Sequence, residues 1–321
     1  MDNDWYAPIS DDLKKVDEII EKVLRSERPE LQEMCDYVTS SGGKKIRPAM
    51  CILSHCACGG TRKDEVLRIA AAFEIIHDAT LIHDDINDNG ELRRGRKTMH
   101  KKYTVTKAII LGDFMFAMGF RLLGTMNEKI IETATKASAA MAESEFIQKE
   151  FEHRPAVTEK DYINIIRGKT AMPIFACART GAHMADVPDD VLDIVSGFAL
   201  DVGLAFQIVD DVLDIIGDHV STGKKIGIDI AEGKPTLPMI YAMADEKNGK
   251  AIKKIFENRE MSDEDVHKAL ALIKDTGAVD ICISKAKEIV ENAISQLSCL
   301  KDSVYKDSLI GLARYVVNRD R

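Results

Sequence analysis

The sequence predicts an all-α fold, on three observations. Apolar residues recur at three-and-four spacing in widely separated segments, which places them on one face of a helix. Period-two alternation and hairpin signatures between apolar runs are missing. Aromatic residues make up only 6% of the 321 residues, and prolines sit mostly at element edges, as at Pro29, Pro48, Pro155, Pro188 and Pro235, where they start or stop helices without breaking them. Length alone suggests roughly two domains. No Gly/Ser linker long enough to divide the chain is present, so we expect one domain over residues 1–321, helical from residue 10.

Taken in order, residues 10–25 open with Ser10-Asp11-Asp12, read as an N-cap cluster, and then place Leu13, Val16, Ile19 or Ile20, and Val23 or Leu24 on one face. The next features are Ser40 to Pro48, a polar stretch containing Gly42-Gly43-Lys44-Lys45-Ile46-Arg47, and a helix through Val66, Ile69, Ala70, Phe73 and Ile76. That helix runs on to Leu81-Ile82-His83-Asp84-Asp85-Ile86-Asn87-Asp88, and a polar interruption follows from Asn87 to Lys102. A second apolar helix carries Phe206-Gln207-Ile208-Val209-Asp210-Asp211-Val212-Leu213-Asp214, followed by a polar stretch from Gly217 to Pro238. Ala269, Leu272 and Ile273 mark a late helix by the same spacing. The three polar interruptions are rich in Gly and basic residues, and function is expected there more than on the regular helices.

Composition narrows the functional classes. With 45% hydrophobic and 30% charged residues, the chain reads as a soluble globular protein with a substantial core. A net charge of −9 argues against nucleic acid as a partner, because that role needs a basic surface. The longest uninterrupted apolar stretches, such as Phe114 to Phe120, fall well short of a bilayer span, so no membrane segment is expected. Met1-Asp2-Asn3-Asp4-Trp5 has no basic flank followed by an apolar run, so no signal peptide is expected either. Seven cysteines, an odd and scattered number, suggest free thiols in a reducing cytoplasm. His55, Cys56 and Cys58 lie close together, but no second pair at zinc-ligand spacing answers them; buried small thiols are the better reading.

The acidic clusters carry chemistry. Asp84 and Asp88 are four apart, so both carboxylates leave one helix face about one turn apart. They sit at a helix C-terminus, where the macrodipole disfavours negative charge. Asp210 and Asp214 repeat the geometry, with Gln207 a turn earlier, on a helix whose neighbours are all apolar, and buried carboxylates without counter-charge are costly. One such cluster alone would read as a solvated helix end. Two copies, each followed by a basic Gly-containing loop, suggest paired carboxylate faces that clasp Mg²⁺ ions on one diphosphate and assist its departure.

The sequence resembles the trans-isoprenyl diphosphate synthases (polyprenyl synthetases) along nearly its whole length. The motifs that carry the resemblance are Gly-Gly-Lys-x-x-Arg-Pro at 42–48, Asp-Asp-x-x-Asp at 84–88 with Leu92-Arg93-Arg94-Gly95, Gly168-Lys169-Thr170, Phe206-Gln207 with the second Asp-Asp-x-x-Asp, and Glu232-Gly233-Lys234 with Thr236-Leu237-Pro238. It implies a single-domain helical bundle of the isoprenoid synthase type around a deep central cavity, assembled as a homodimer, with three Mg²⁺ per active site. The implied reaction condenses isopentenyl diphosphate head to tail with an allylic diphosphate. By the same resemblance Asp84, Asp85, Asp88, Asp210 and Asp214 match the Mg²⁺ ligands. Arg93, Lys169, Thr170, Gln207, Lys224 and Lys234 match positions around the allylic diphosphate. Lys44, Arg47, His77 and Arg94 match the isopentenyl diphosphate pocket.

Physical reading agrees with that division. The isopentenyl diphosphate has no metal cluster to neutralise it, so it needs direct cations, and arginines supply them by bidentate bonds. A lone histidine on an apolar helix reads as a core residue; the motif makes His77, two turns before Asp84, a pocket residue, while His83 stays structural. Lys45, Lys101 and Lys102 read as solvated. Pro173 lacks the N–H that would bond the Lys169 carbonyl in a helix, and a carbonyl so freed could stabilise an allylic carbocation, making Lys169 catalytic; an ordinary proline kink is the plain alternative. No side chain stands out as a general base, which leaves the departed pyrophosphate as the proton acceptor.

Two other readings stand beside this one. A class I terpene cyclase shares the fold and first motif, but its second metal site usually carries Asn/Ser/Glu-type ligands. A non-catalytic subunit should have lost aspartates that this chain keeps. Product length is partly legible: in this family the tail passes the position five before Asp84, where bulky aromatics go with short products. Here that position and the next are Ala79 and Thr80, with Ile76 a turn further. One turn is about 5.4 Å, close to one isoprene unit, so a product of about twenty to twenty-five carbons is expected, with about thirty to thirty-five in reach. Met115, Phe116 and Met118 are candidates for the final floor.

Overall fold

The computed structural model describes residues 5–217 and 226–319. The all-α expectation holds: the described chain is α1 (Ser10–Val23), α2 (Pro29–Thr39), α3 (Ile46–Ala57), α4 (Lys63–Asn87), a two-strand hairpin, α5 (Met99–Lys102), α6 (Val105–Leu123), α7 (Glu128–Phe151), α8 (Glu159–Ile166), α9 (Met172–His183) and α10 (Asp189–Ile216), then α11 (Ile228–Ala231), α12 (Leu237–Met243), α13 (Gly249–Phe256), α14 (Asp263–Asp275), α15 (Ala278–Gln296) and α16 (Val304–Asn318). They form two compact units. The first takes its described residues from Met1–Lys136, Ala176–Ser196 and Cys299–Gly311, and the second from Ala137–Phe175, Gly197–Ser298 and Leu312–Arg321.

In the first unit α4 is the central element and packs along α6, α3 and α1. Val66, Leu67, Ile69, Ala70, Phe73 and Ile75 are all buried, so after its charged first turn this helix is buried around most of its circumference, with Arg68 left exposed. Each buried Ile or Leu contributes roughly 1.5–3 kcal/mol. Close approach of α6 requires Gly119, where a Cβ would lie 2.7 Å from Ile76 Cγ1 and 3.2 Å from the Ala72 carbonyl.

Two local expectations are corrected. Ser10 is the first residue of α1 and not its cap; Ile9 occupies the N-cap, because a 3-10 turn over Ala7–Ile9 feeds straight into the helix. A hairpin is present at Leu92–Arg93 and Arg96–Lys97, joined through Arg94 (φ 52) and Gly95 (φ 74). Two consecutive positive φ values are what a two-residue primed turn needs. Tyr37 donates to the Lys97 carbonyl at 2.9 Å and Thr98 to that of Gly90 at 2.7 Å, which fastens the hairpin.

In the second unit Ile215, Ile230, Met239, Ile252, Phe256 and Ile273 share one core. α8 starts on a capping box between Thr158 and Asp161, and its Glu159 is held by Lys285 at 2.7 Å and Tyr241 at 2.8 Å. Residues Arg167–Ala171 follow as a π turn. No clear membrane span is present among the described residues, as expected, although one helix is long and apolar enough to pass for one. α10 has 28 residues, and its best stretch has a mean hydropathy of 1.7, enough by length and composition to cross a bilayer. Counting only uninterrupted apolar runs missed it. Half of that stretch is buried inside the protein, and the helix also carries Asp201, Asp210, Asp211 and Asp214, which suits a core helix better than a lipid-facing one.

Candidate functional site

The first acidic cluster closes α4. Asp88 is the C-cap, its N–H bonded to the Asp84 and Ile86 carbonyls, so Asp84 and Asp88 stand one turn apart, both half-buried. Asp85 turns inward and is held by Arg93, whose Nε reaches both carboxylate oxygens at 2.9 Å and whose Nη2 lies 2.8 Å from Oδ1.

Arg94 stands beside it on the hairpin turn. Its guanidinium donates to Ser41 at 3.3 Å and lies so close over Gly43 that a Cβ there would be 3.0 Å from Nη2. The Gly-Gly-Lys and Arg-Arg-Gly motifs therefore meet because residue 43 has no side chain. Arg93, Arg94, Asp78 and Asp85 line a small open pocket backed by Leu81 and Ile82.

Cations gather around His77. Burial, followed by the charges of Arg47, Arg93, Arg94 and Lys45, holds its imidazole well below the usual range and therefore neutral. Arg47 Nε is buried without a hydrogen-bond partner among the described residues, and burial pulls its guanidinium down from its ordinary value. Lys44 is exposed. Lys45 was expected to be solvated and is not: it sits at positive φ, only 18% exposed, bound to Asp17 at 2.8 Å and Glu74 at 3.5 Å. Lys102 is exposed, as expected, and lies 3.9 Å over the Tyr37 ring. Lys101 is exposed and donates to Asn89.

His83 keeps its structural role, stacked on Phe116 and abutting Gly112. Ile76, Ala79 and Thr80 are buried in α4, Ala79 completely, and Thr80 donates back to the His77 carbonyl. His55 is fully buried with Nδ1 3.1 Å from the Gly181 carbonyl, and burial pushes the Cys58 thiol up to about 11.

The second cluster lies on α10. Asp210 is exposed and 3.0 Å from Arg319, whose guanidinium also caps the Phe206 carbonyl and stacks 4.0 Å over that ring. Asp214 accepts the Ile228 and Asp229 N–H groups at 3.2 Å each; burial and the Asp229 carboxylate push it up to about 7. Lys234 pairs with Glu232 at 2.6 Å. Lys169 pairs with Glu145 at 2.5 Å and reaches Gln148 at 3.4 Å. The helical turn expected before Pro173 is the π turn, in which the Met172 N–H bonds the Arg167 carbonyl. Lys224 lies outside the described residues.

Sequence reasoning missed Tyr162 and Asp211. Gln207 donates to Asp211 at 2.7 Å, four residues on, and Tyr162 donates to the other Asp211 oxygen at 2.7 Å. Only the apolar flanks of the motif hinted that its middle acid turns inward. Burial and Asp229 push the Asp211 carboxyl well up, against the pull of Gln207 and Tyr162.

In each unit the donor set fits a hard divalent cation. It is all carboxylate oxygen, and Arg93 on Asp85 and Arg319 on Asp210 already occupy positions of positive charge. Among the described residues no three His, Cys, Asp or Glu side chains converge as a closed metal cage. Mg²⁺ needs none, since it takes one or two carboxylates and completes its shell with water and phosphate oxygens.

Comparison with known proteins gives a consistent picture. The polyprenyl synthetase family model matches residues 28–273. The all-trans-nonaprenyl-diphosphate synthase (geranyl-diphosphate specific) of Rhodobacter capsulatus is 34% identical over 320 residues, covering 98% of this chain and 97% of that one. The geranylgeranyl diphosphate synthase of Methanosarcina mazei is 33% identical over 312 residues, 95% of each. Among solved structures, the polyprenyl synthase of Caulobacter crescentus, complexed with calcium and isoprenyl diphosphate, matches with a TM-score of 0.94 at 30% identity, over 100% of this chain and 98% of that one.

Proposed function

The chain belongs to the polyprenyl synthetase family and is a prenyltransferase of isoprenoid synthesis, and from that premise we propose that it condenses isopentenyl diphosphate head to tail with an allylic diphosphate. The reaction is Mg²⁺-dependent and gives a trans-polyprenyl diphosphate of about twenty or more carbons and pyrophosphate. The observation that carries this reading is the pocket lined by Arg93 and Arg94, with Arg94 seated over Gly43 and Arg93 on Asp85, beside Arg47 and a His77 that lies two turns before Asp84. It supports direct capture of a diphosphate by cations.

In this reading Asp84, Asp85, Asp88, Asp210 and Asp214 hold magnesium, which supplies Lewis-acid polarisation of the leaving diphosphate. Lys169, Thr170, Gln207, Lys224, Lys234 and Arg93 orient the allylic substrate. Its C–O bond breaks with the electron pair leaving on pyrophosphate. Lys44, Arg47, Arg94 and His77 hold isopentenyl diphosphate so that its double bond attacks the allylic carbon, forming the new C–C bond. The proton then lost from the former isopentenyl unit goes to pyrophosphate. Homodimer assembly is supported by Val105, Ile109 and Ile110, exposed apolar residues on α6, and a dimer mass by light scattering is expected.

Replacing Asp84 or Asp210 with Ala tests the site. Either change should lower turnover by about two or more orders of magnitude, because each removes a ligand that positions the leaving group. Near-normal activity of both variants at saturating Mg²⁺ would defeat the reading.

A further inference from the structure

In the loop that leads from α2 into α3, Gly42, Gly43 and Lys44 are exposed, while Lys45 reaches back to two other helices. Its Nζ lies 2.8 Å from Asp17 Oδ1 on α1 and 3.5 Å from Glu74 Oε1 on α4. Glu74 is buried and Asp17 half-exposed. The Lys45 backbone is left-handed, at φ 49 and ψ 34, a region that residues with a Cβ avoid. Such a residue stays there only when its surroundings hold it, and the two ion pairs are a hold of that kind. The Lys45 carbonyl also takes the first bond of α3, from the Ala49 N–H at 3.0 Å. The conformation of this one residue therefore sets the angle between α3, whose second residue is Arg47, and the segment that carries Gly43 and Lys44.

We propose that Lys45 is a positioning residue for isopentenyl diphosphate: anchored on Asp17 and Glu74, it locks the turn that sets Lys44 against Arg47 and seats Gly43 under the Arg94 guanidinium. This rests on the reading above, in which Lys44, Arg47 and Arg94 hold that diphosphate. Lys45 acts through them, since its own ammonium group is engaged by two carboxylates. Without the anchor, residue 45 would relax towards negative φ and swing Gly43 and Lys44 away from Arg94, while α3 stays in the core through Met50, Ile52 and Leu53, all fully buried. None of the residues assigned to the allylic diphosphate lies on this loop. Asp17 separates the anchor from simple electrostatics. Acting through space, loss of its negative charge near a site for an anion can only favour the anion. Acting through Lys45, the same loss disfavours it.

Asp17→Asn is therefore the deciding variant, and it alters a half-exposed side chain, so the fold is not at risk. KM for isopentenyl diphosphate should rise about threefold, the scale of one half-exposed ion pair, while kcat and KM for the allylic diphosphate stay within about twofold. Lys45→Met loses both pairs and should raise the same KM about tenfold. In that background Asp17→Asn has no anchor left to loosen and should add nothing. Thermal melts followed by circular dichroism restrict the comparison to folded proteins, and should Lys45→Met not fold, Asp17→Asn decides alone. A lower or unchanged KM for isopentenyl diphosphate in Asp17→Asn overturns the proposal, as does an equal rise for both substrates or a full further rise in the double variant. Failure of the underlying reading shows differently, as no product from the unaltered protein or as an Arg94→Ala variant with an unchanged KM for isopentenyl diphosphate.

Discussion

His77 and Asp78 are neighbours whose surroundings act on them in opposite senses. Burial and nearby cations keep the imidazole neutral, while burial and the Glu74 carboxylate push Asp78 up to about 7, against Lys45, Arg94 and Arg47. An unfolded aspartate titrates near 3.9, so the folded protein holds this proton more tightly. Stability from this group is therefore present at low pH and is lost as pH rises from about 4 through about 7. Asp78→Asn should raise the melting temperature at pH 8 and leave it nearly unchanged at pH 4.5; a constant gap across that range would contradict the assignment. Arg94, poised over Gly43, belongs to the same pocket. Arg94→Ala should raise KM for isopentenyl diphosphate by about tenfold to a hundredfold, the worth of one charge-assisted bond, and leave KM for the allylic substrate nearly unchanged. Steady-state kinetics with each substrate varied would show an equal effect on both if the pocket were misassigned.

At the scale of elements, the π turn after α8 is held by close packing. A Cβ at Gly168 would lie 1.8 Å from Ser144 Oγ and 2.7 Å from the Ala140 carbonyl. Gly168→Ala should cost about 1–3 kcal/mol of stability, seen as a lower urea midpoint, and adding Ser144→Ala should recover only part, because the backbone contact remains. A full recovery would mean that the side chain alone sets the spacing. The long helices were legible because apolar spacing is a local property of the chain. The hairpin was not, because Arg94-Gly95 lacks the Asn-Gly signal and its strands are polar. Lys45 was misread as solvated because its partners, Asp17 and Glu74, are remote in sequence. The bond between Tyr162 and Asp211 was invisible for the same reason, while Asp84, Asp88, Asp210 and Asp214 were found because four-residue spacing writes a helix face directly.

For the molecule as a whole, what is left open by family membership is chain length, since the relatives compared make products as different as geranylgeranyl and nonaprenyl diphosphates. Ala79 is completely buried in α4, next to Thr80 and one turn from Ile76. Ala79→Phe should shorten the main product to about fifteen carbons, one turn of helix corresponding to about one isoprene unit, at some cost in stability from overpacking; an unchanged product would mean that the tail does not pass residue 79. The most direct test is to incubate the pure protein with labelled isopentenyl diphosphate and geranyl diphosphate, with and without Mg²⁺, and to size the dephosphorylated products. Acyclic trans alcohols of about twenty or more carbons, formed only with the metal, are expected; no chain extension, or a cyclised hydrocarbon made without consuming isopentenyl diphosphate, would contradict the assignment.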